Sequence, residues 1–305
     1  MKFRLLTMLM LVVAVGCDTV STADRGKVRV VTTTSILGDA VRQIGGDTVV
    51  LTVLMPPGTD PHNYAPVSSD AVALGDADLI FCHGLHLEGK MVDLLEDRHA
   101  IAVGKRLDRA RIRRVDEDSA DDPHVWFDVP LWSQCVTVVV EELCRVAPAH
   151  AEDYRSRGAA YLAELKALDA EIRTKIATIP PANRILVTSH DAFGYFASAY
   201  GVEVKGLQGV STSSAVGTKD LDDLADYLGR KRVRAIFTET STPTKGLAKV
   251  LDLTRSRYPN APPTVLVAGD EALYSDSLGA VGTPTGTYVG TVRHDVDVLV
   301  KYLKP

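Results

Sequence analysis

Between residues 149 and 179 the chain carries its longest uninterrupted helical pattern. Leu162, Leu165, Leu168, Ile172, Ile176 and Ile179 recur at three- and four-residue steps and form one continuous apolar face. Pro180-Pro181 stops it. A helix of about 30 residues at about 1.5 Å rise reaches roughly 45 Å, longer than most single domains are wide. Such a rod has to join two compact units, and 305 residues are enough for both.

On either side of the rod, strand-like and helix-like stretches alternate. Residues 27–34 (KVRVVTTT) are β-branched and read as a strand. Residues 36–44 read as an amphipathic helix stopped by Gly45-Gly46. Strands are expected at 49–55, 78–82 and 101–103, and helices at 69–75, 91–96 and 125–146. Beyond the rod, strands at 184–187, 202–207, 233–237 and 265–267 alternate with helices at 193–200, 221–228, 247–255 and 294–303. This alternation implies right-handed crossovers. The expected class is α/β: two lobes, each with a mainly parallel sheet flanked by helices, over 27–148 and 181–305, joined by one long helix over 149–180.

The N-terminus is a leader. A short positive segment, Met1-Lys2-Phe3-Arg4, precedes an apolar run over 5–15 that is too short to span a bilayer. It ends in Ala14-Val15-Gly16-Cys17, which resembles the bacterial lipoprotein processing site. By that resemblance residues 1–17 are a lipoprotein signal peptide with Cys17 as the acylated residue, 18–26 are a flexible tether, and the mature protein is extracytoplasmic and held to the membrane by a lipid anchor. Asp18 resembles the inner-membrane retention signal of diderm bacteria. The remaining cysteines, Cys82, Cys135 and Cys144, are odd in number and cannot form a complete disulfide set. The net charge of −5, with no long basic stripe, excludes nucleic acid as a partner. Residues 105–122, with Arg109, Arg111, Arg113 and Arg114 followed by Asp116, Glu117, Asp118, Asp121 and Asp122, read as a solvated loop.

Asp60-Pro61-His62 and Asp122-Pro123-His124 repeat one motif, and Ser189-His190-Asp191 follows. The three histidines are 62 and 66 residues apart, each in a loop-like setting. In open parallel sheets, ligands bind outside the carboxyl ends of the strands. His62, His190 and Asp276 follow expected strands; His124 is placed by its motif and spacing. Three imidazoles and one carboxylate suit zinc, and manganese accepts the oxygen donor. Asp270 and Glu271 are acidic rivals to Asp276. Asp60, Asp122 and Asp191, each within two residues of a histidine, are expected either to accept a ring N–H or to serve as turn residues. Glu239, at the end of the 233–237 strand, is a further candidate for that role or for an alternative ligand. His83 and His86, three apart, read as packing or surface residues sharing a helical face. The polar loop 209–218 contains no phosphate-binding motif.

These residues also carry a family resemblance. The runs PGTDPH (57–62), GLHLE (84–88), DPHVWFD (122–128), VTSHDAFGYF (187–196), KGLQGVST (205–212) and YSD (274–276) resemble, in that order, the TroA-like (cluster A-I, or cluster 9) zinc- and manganese-binding solute-binding lipoproteins of metal ABC transporters. The resemblance implies a two-lobe fold bridged by one helix and a metal site formed by His62, His124, His190 and Asp276. It further implies one transported Zn2+ or Mn2+ per chain, and a monomeric receptor that serves a permease and its ATPase subunit. Glu at the third ligand position resembles manganese-preferring members, and His, present here, the zinc or mixed ones. The long His-rich loop of many zinc specialists does not occur in this chain. Two rival readings are a zinc-dependent hydrolase and a metal-binding surface adhesin. Catalytic zinc keeps three protein ligands and an open water position, and no H-E-x-x-H run occurs.

Overall fold

The computed structural model describes residues 26–114 and 121–305. The leader, Cys17, residues 18–25 of the tether and residues 115–120 of the charged segment lie outside the described residues.

The first half of the chain builds β1 (Val28–Thr32), α1 (Ser35–Gly45), β2 (Val49–Val53), α2 (Ser68–Asp76), β3 (Leu79–Cys82), α3 (Val92–Asp97), β4 (Ile101–Ala102) and α4 (Val129–Val146). The strands form one parallel sheet in the order β2-β1-β3-β4. Every residue of β3 is buried, as expected of a parallel strand covered on both faces. Local chemistry sets the boundaries. Thr34 caps α1, its hydroxyl accepting the Leu37 amide. Asp128 does the same for α4 through Leu131. The helix expected from residue 125 therefore starts at Val129, and residues 125–127 form a separate tight turn.

The rod is α5 (Ala151–Ala177), 27 residues, or about 40 Å. Its buried face runs through Tyr154, Gly158, Tyr161, Leu165, Leu168, Ile172 and Ile176, with Leu162 half-buried at the edge. Gly158 lets it lie close against α4: a β-carbon there would meet Val140 Cγ2 at 2.5 Å. Toward its start, Arg157 donates to the carbonyls of Ile44 and Gly45. Toward its end, Lys175 pairs with Glu171 and Asp297.

The second half supplies β5 (Ile185–His190), α6 (Gly194–Tyr200), β6 (Glu203–Gln208), α7 (Thr218–Lys231), β7 (Ala235–Phe237), α8 (Lys245–Arg257), β8 (Val265–Val267) and α9 (Tyr288–Leu303). The expectation of one sheet needs correction here. β5 pairs with β6 and β7 with β8, both parallel, and no ladder joins β5 to β7 among the described residues, although they pack side by side. At the site end of that seam the His190 amide is taken by the Glu239 carboxylate, 3.0 Å away, rather than by a strand carbonyl.

Each lobe has an outer apolar layer, around Leu54, Met55 and Leu74 in one and Leu224, Ile236 and Val250 in the other. A larger cluster runs between them, joining Val30 and Phe81 through the face of α5 to Phe237 and Leu299. The lobes share this core, so opening them widely would expose buried apolar surface at about 25 cal/mol per Å2.

Candidate metal centre

Four loops or strand ends bring His62, His124, His190 and Asp276 together. In both Asp-Pro-His copies the aspartate accepts the amide of the histidine two residues on: Asp60 Oδ1 from His62 at 2.9 Å and Asp122 Oδ1 from His124 at 3.0 Å. The repeat is thus a repeated Asx turn, which fixes the backbone beneath each imidazole. His190 is the last residue of β5, not just beyond it. Its approach depends on Gly206 of the neighbouring strand, where a β-carbon would lie 2.5 Å from the Asp191 nitrogen and 2.7 Å from the His190 carbonyl carbon. Asp276 lies in the loop after β8.

One donor atom from each of the four lies within 4.8 Å of all the others. His124 Nε2 is 3.3 Å from both His62 Nε2 and His190 Nε2. Asp276 straddles the pair, with Oδ1 3.4 Å from His124 Nε2 and Oδ2 3.4 Å from His190 Nε2. All four side chains are buried. The imidazoles therefore differ in proton affinity. Burial pulls His62 down to about 4, against the attraction of Asp276. Burial also lowers His124, but hydrogen bonds with Asp122 and Asp276 outweigh it and leave it raised. His190 is raised well above the usual imidazole range because Glu239 and Asp276 together overcome its burial. Burial would raise Asp276, yet the two histidines hold it well below the usual carboxylate range.

The supporting carboxylates fall out differently from expectation. Asp122 does reach the ring: its Oδ1 is 2.9 Å from His124 Nδ1, and Arg113 holds its Oδ2 at 3.1 Å. Asp60 does not serve the His62 ring; its second oxygen accepts from Asn63 and Thr212 instead. Asp191 has no bond to the His190 ring among the described residues. The carboxylate beside that ring is Glu239, whose Oε2 lies 2.6 Å from Nδ1. The contact is close, but neither atom has a partner in hydrogen-bonding geometry. We read it as an ion pair off the hydrogen-bond axis. Asp270 is exposed, and Glu271 pairs with Lys301 and Tyr302, which removes both rivals to Asp276.

One support was not foreseen, and a second was expected only as a packing or surface residue. Arg113 belongs to the segment read as solvated, yet its guanidinium braces Asp122 and its amide donates to the Tyr195 hydroxyl. His83 shares no helical face with His86, because Leu85 and His86 adopt left-handed conformations with φ of 55° and 63°. Its ring is packed between Trp126 and Trp132, with centroids 4.7 and 5.9 Å away, and its Nε2 is 2.7 Å from the Thr34 hydroxyl. Burial drives it down to about 3, so it is a neutral wall residue. The apolar Leu79-Ile80-Phe81-Cys82 run before it was the available signal that it would be drawn inside.

Comparison with known proteins agrees with this architecture. Residues 30–302 match the family model described as the periplasmic component A of the zinc-uptake complex, ZnuA. The zinc-binding protein TroA of Treponema pallidum (strain Nichols) is 43% identical over 282 residues, covering 91% of this chain and 89% of that protein. The manganese-binding lipoprotein MntA of Bacillus subtilis (strain 168) is 40% identical over 296 residues, covering 95% and 94%. The solved structure of the periplasmic zinc-binding protein TroA from Treponema pallidum superimposes with a TM-score of 0.88 at 42% identity, covering 92% of this chain and all of that one. With its lobes, its bridging helix and its sequence all matching over nearly their full length, the chain belongs to the ZnuA family of TroA-like metal-binding solute-binding proteins.

Proposed function

We propose that this chain is the extracytoplasmic solute-binding protein of an ABC importer, which captures one divalent transition metal ion between its lobes and delivers it to the permease. The observation that carries the reading is the convergence of four buried donors, two from each lobe. In this reading His62, His124 and His190 bind through Nε2 and Asp276 through its carboxylate. His124 Nε2 lies 3.3 Å from both other imidazole nitrogens and 3.4 Å from Asp276 Oδ1, close spacings of the kind a small four-coordinate ion such as zinc bridges. Both Asp276 oxygens face the histidines, so a chelating mode also accommodates a larger ion such as manganese. The formal charges of a dication, Asp276, Asp122, Glu239 and Arg113 cancel, which suits a site closed to water. Asp122 holds the His124 ring and its tautomer, and Glu239 adds a negative charge beside the His190 ring.

The lobes are residues 27–148 and 181–305, with 149–180 as the strut. Their shared core supports capture by local rearrangement rather than wide hinge opening. Among the described residues no helix is long and apolar enough to cross a membrane. Membrane attachment is assigned to a lipid on Cys17, on the periplasmic side of the inner membrane if the envelope is diderm. The partners are a permease and its ATPase subunit, and the protein acts as a monomer. Metal analysis of the purified protein, followed by competitive titration with zinc and manganese, tests the reading: one tightly held ion is expected. A protein that binds neither metal, or that hydrolyses ester, peptide or phosphate substrates in a metal-dependent way, contradicts it.

A further inference from the structure

Of the four proposed ligands, His62 is the least deeply buried, and it lines a cleft of about 310 Å3. One wall of that cleft is N-terminal, with Leu85, His86 and Lys90; the other is Val210, Ser211 and Ser213, from the loop between β6 and α7. Elsewhere around the site the lobes are tied by bonds close to the ligands. Trp126 donates to the Ser275 carbonyl, Gly58 to the Ser277 hydroxyl, and Tyr195 to the Asp122 carbonyl. The 209–217 loop differs. Among the described residues, Thr212 is its one hydrogen-bonded link to the N-terminal lobe. The Thr212 hydroxyl donates to Asp60 Oδ2 at 2.6 Å and accepts from Asn63 Nδ2 at 2.9 Å. Asp60 Oδ1 in turn holds the His62 amide. The rest of the loop is bound to its own lobe, through Gln208 to the carbonyls of Thr212 and Ser214.

We infer that the metal enters and leaves past His62 through this cleft, that the 209–217 loop is the flap over it, and that the Thr212 hydroxyl is the latch. The inference rests on the proposed metal-binding function. A hydroxyl is needed because the latch is both donor and acceptor, and the acceptor it reaches is a carboxylate, which makes that bond a strong one. The latch bonds to Asp60 and Asn63 and to none of the four ligand side chains, so in this reading it acts on the empty and the filled site alike. Weakening it therefore speeds entry and release together and leaves the equilibrium unchanged. A residue that merely shapes the site would instead change affinity.

The test is stopped-flow zinc binding, and release to a strong chelator, for the wild type, Thr212→Val and Thr212→Ser, followed by tryptophan fluorescence. Valine keeps the volume and removes both bonds; both rates should rise about tenfold, with the dissociation constant within about twofold of wild type. Serine keeps the hydroxyl and should keep wild-type rates, so a folding defect in the valine variant does not leave the idea unexamined: a serine variant that also releases quickly overturns it. Unchanged rates in Thr212→Val overturn it as well. So does faster release with a matching loss of affinity, which would reduce Thr212 to a support for Asp60. If the wild type binds no zinc at all, it is the metal-binding function that fails.

Discussion

Asp122→Asn separates shape from charge in the support behind His124. The wild-type carboxylate is fully buried and takes the His124 amide at 3.0 Å, the ring Nδ1 at 2.9 Å and Arg113 at 3.1 Å. Binding a metal at Nε2 requires the ring proton on Nδ1, and an anion facing that proton fixes the tautomer and strengthens the donor. Asparagine has the same outline without the charge. Its NH2 must face either the ring N–H or the guanidinium, and both are donors, so the buried NH2 finds no acceptor, at a cost of about 1–3 kcal/mol. Arg113 is 31% exposed and is rehydrated by solvent, so its lost ion pair adds little. Loss of such an outer carboxylate weakens metal binding about 10–100-fold, or roughly 1.4–2.7 kcal/mol. Urea unfolding of the metal-free variant should show the first loss, and chelator competition at neutral pH the second, with stoichiometry unchanged. Asp60→Asn is the control, because Asp60 holds the same kind of turn amide but not the ring. Equal affinity losses in the two variants would refute the assignment of the ring contact as the source of the effect.

Three further outcomes follow from the geometry. Because His190 and His124 hold their protons more tightly than ordinary imidazoles, metal binding near neutral pH must release protons. Apparent affinity should climb with pH until those groups are neutral in the free protein, and calorimetric enthalpy should vary with the buffer's ionisation enthalpy; an enthalpy independent of buffer would count against the site. His83, lowered to about 3 by burial, refuses a proton that the unfolded chain accepts below about 6.5, so its contribution is intact above that pH and drains away on acidification. Between pH 7 and pH 5 the metal-free wild type should lose about 2 kcal/mol more stability than His83→Leu, measured by urea titration; parallel losses would place the acid sensitivity elsewhere. Gly206→Ala forces a β-carbon to 2.5 Å from the Asp191 nitrogen and should cost about 1–3 kcal/mol of stability together with metal affinity, read as a lower melting temperature and weaker chelator competition. A variant matching wild type in both would show that the backbone there has room.

The sequence was most informative where one physical pattern dominates. The apolar stripe on 149–179 marked the strut because period and length leave few alternatives, and the Asp-Pro-His repeat was visible because each copy encodes the same turn. Which carboxylate would meet which ring was not legible, since that depends on contacts between segments. Glu239 reaches His190 from 49 residues away, while neighbouring Asp191 does not. Asp60 and Asp122 occupy the same motif position and diverge because Thr212 and Asn63 draw one outward and Arg113 holds the other against its ring. Arg113 itself was hidden in a charged run whose composition says solvent. The split between the β5–β6 and β7–β8 pairs has no sequence signal either, as all four segments read as ordinary strands.

The central claim is that His62, His124, His190 and Asp276 form one metal site. Calorimetric zinc titration of His124→Ala beside the wild type tests it most directly, with far-UV circular dichroism as the fold control. His124 sits at the middle of the cluster, 3.3 Å from each of the other two rings. The wild type should bind one equivalent tightly, and the variant should lose tight binding while its spectrum stays nearly unchanged. A folded His124→Ala protein that still takes up one equivalent at wild-type affinity would contradict the account.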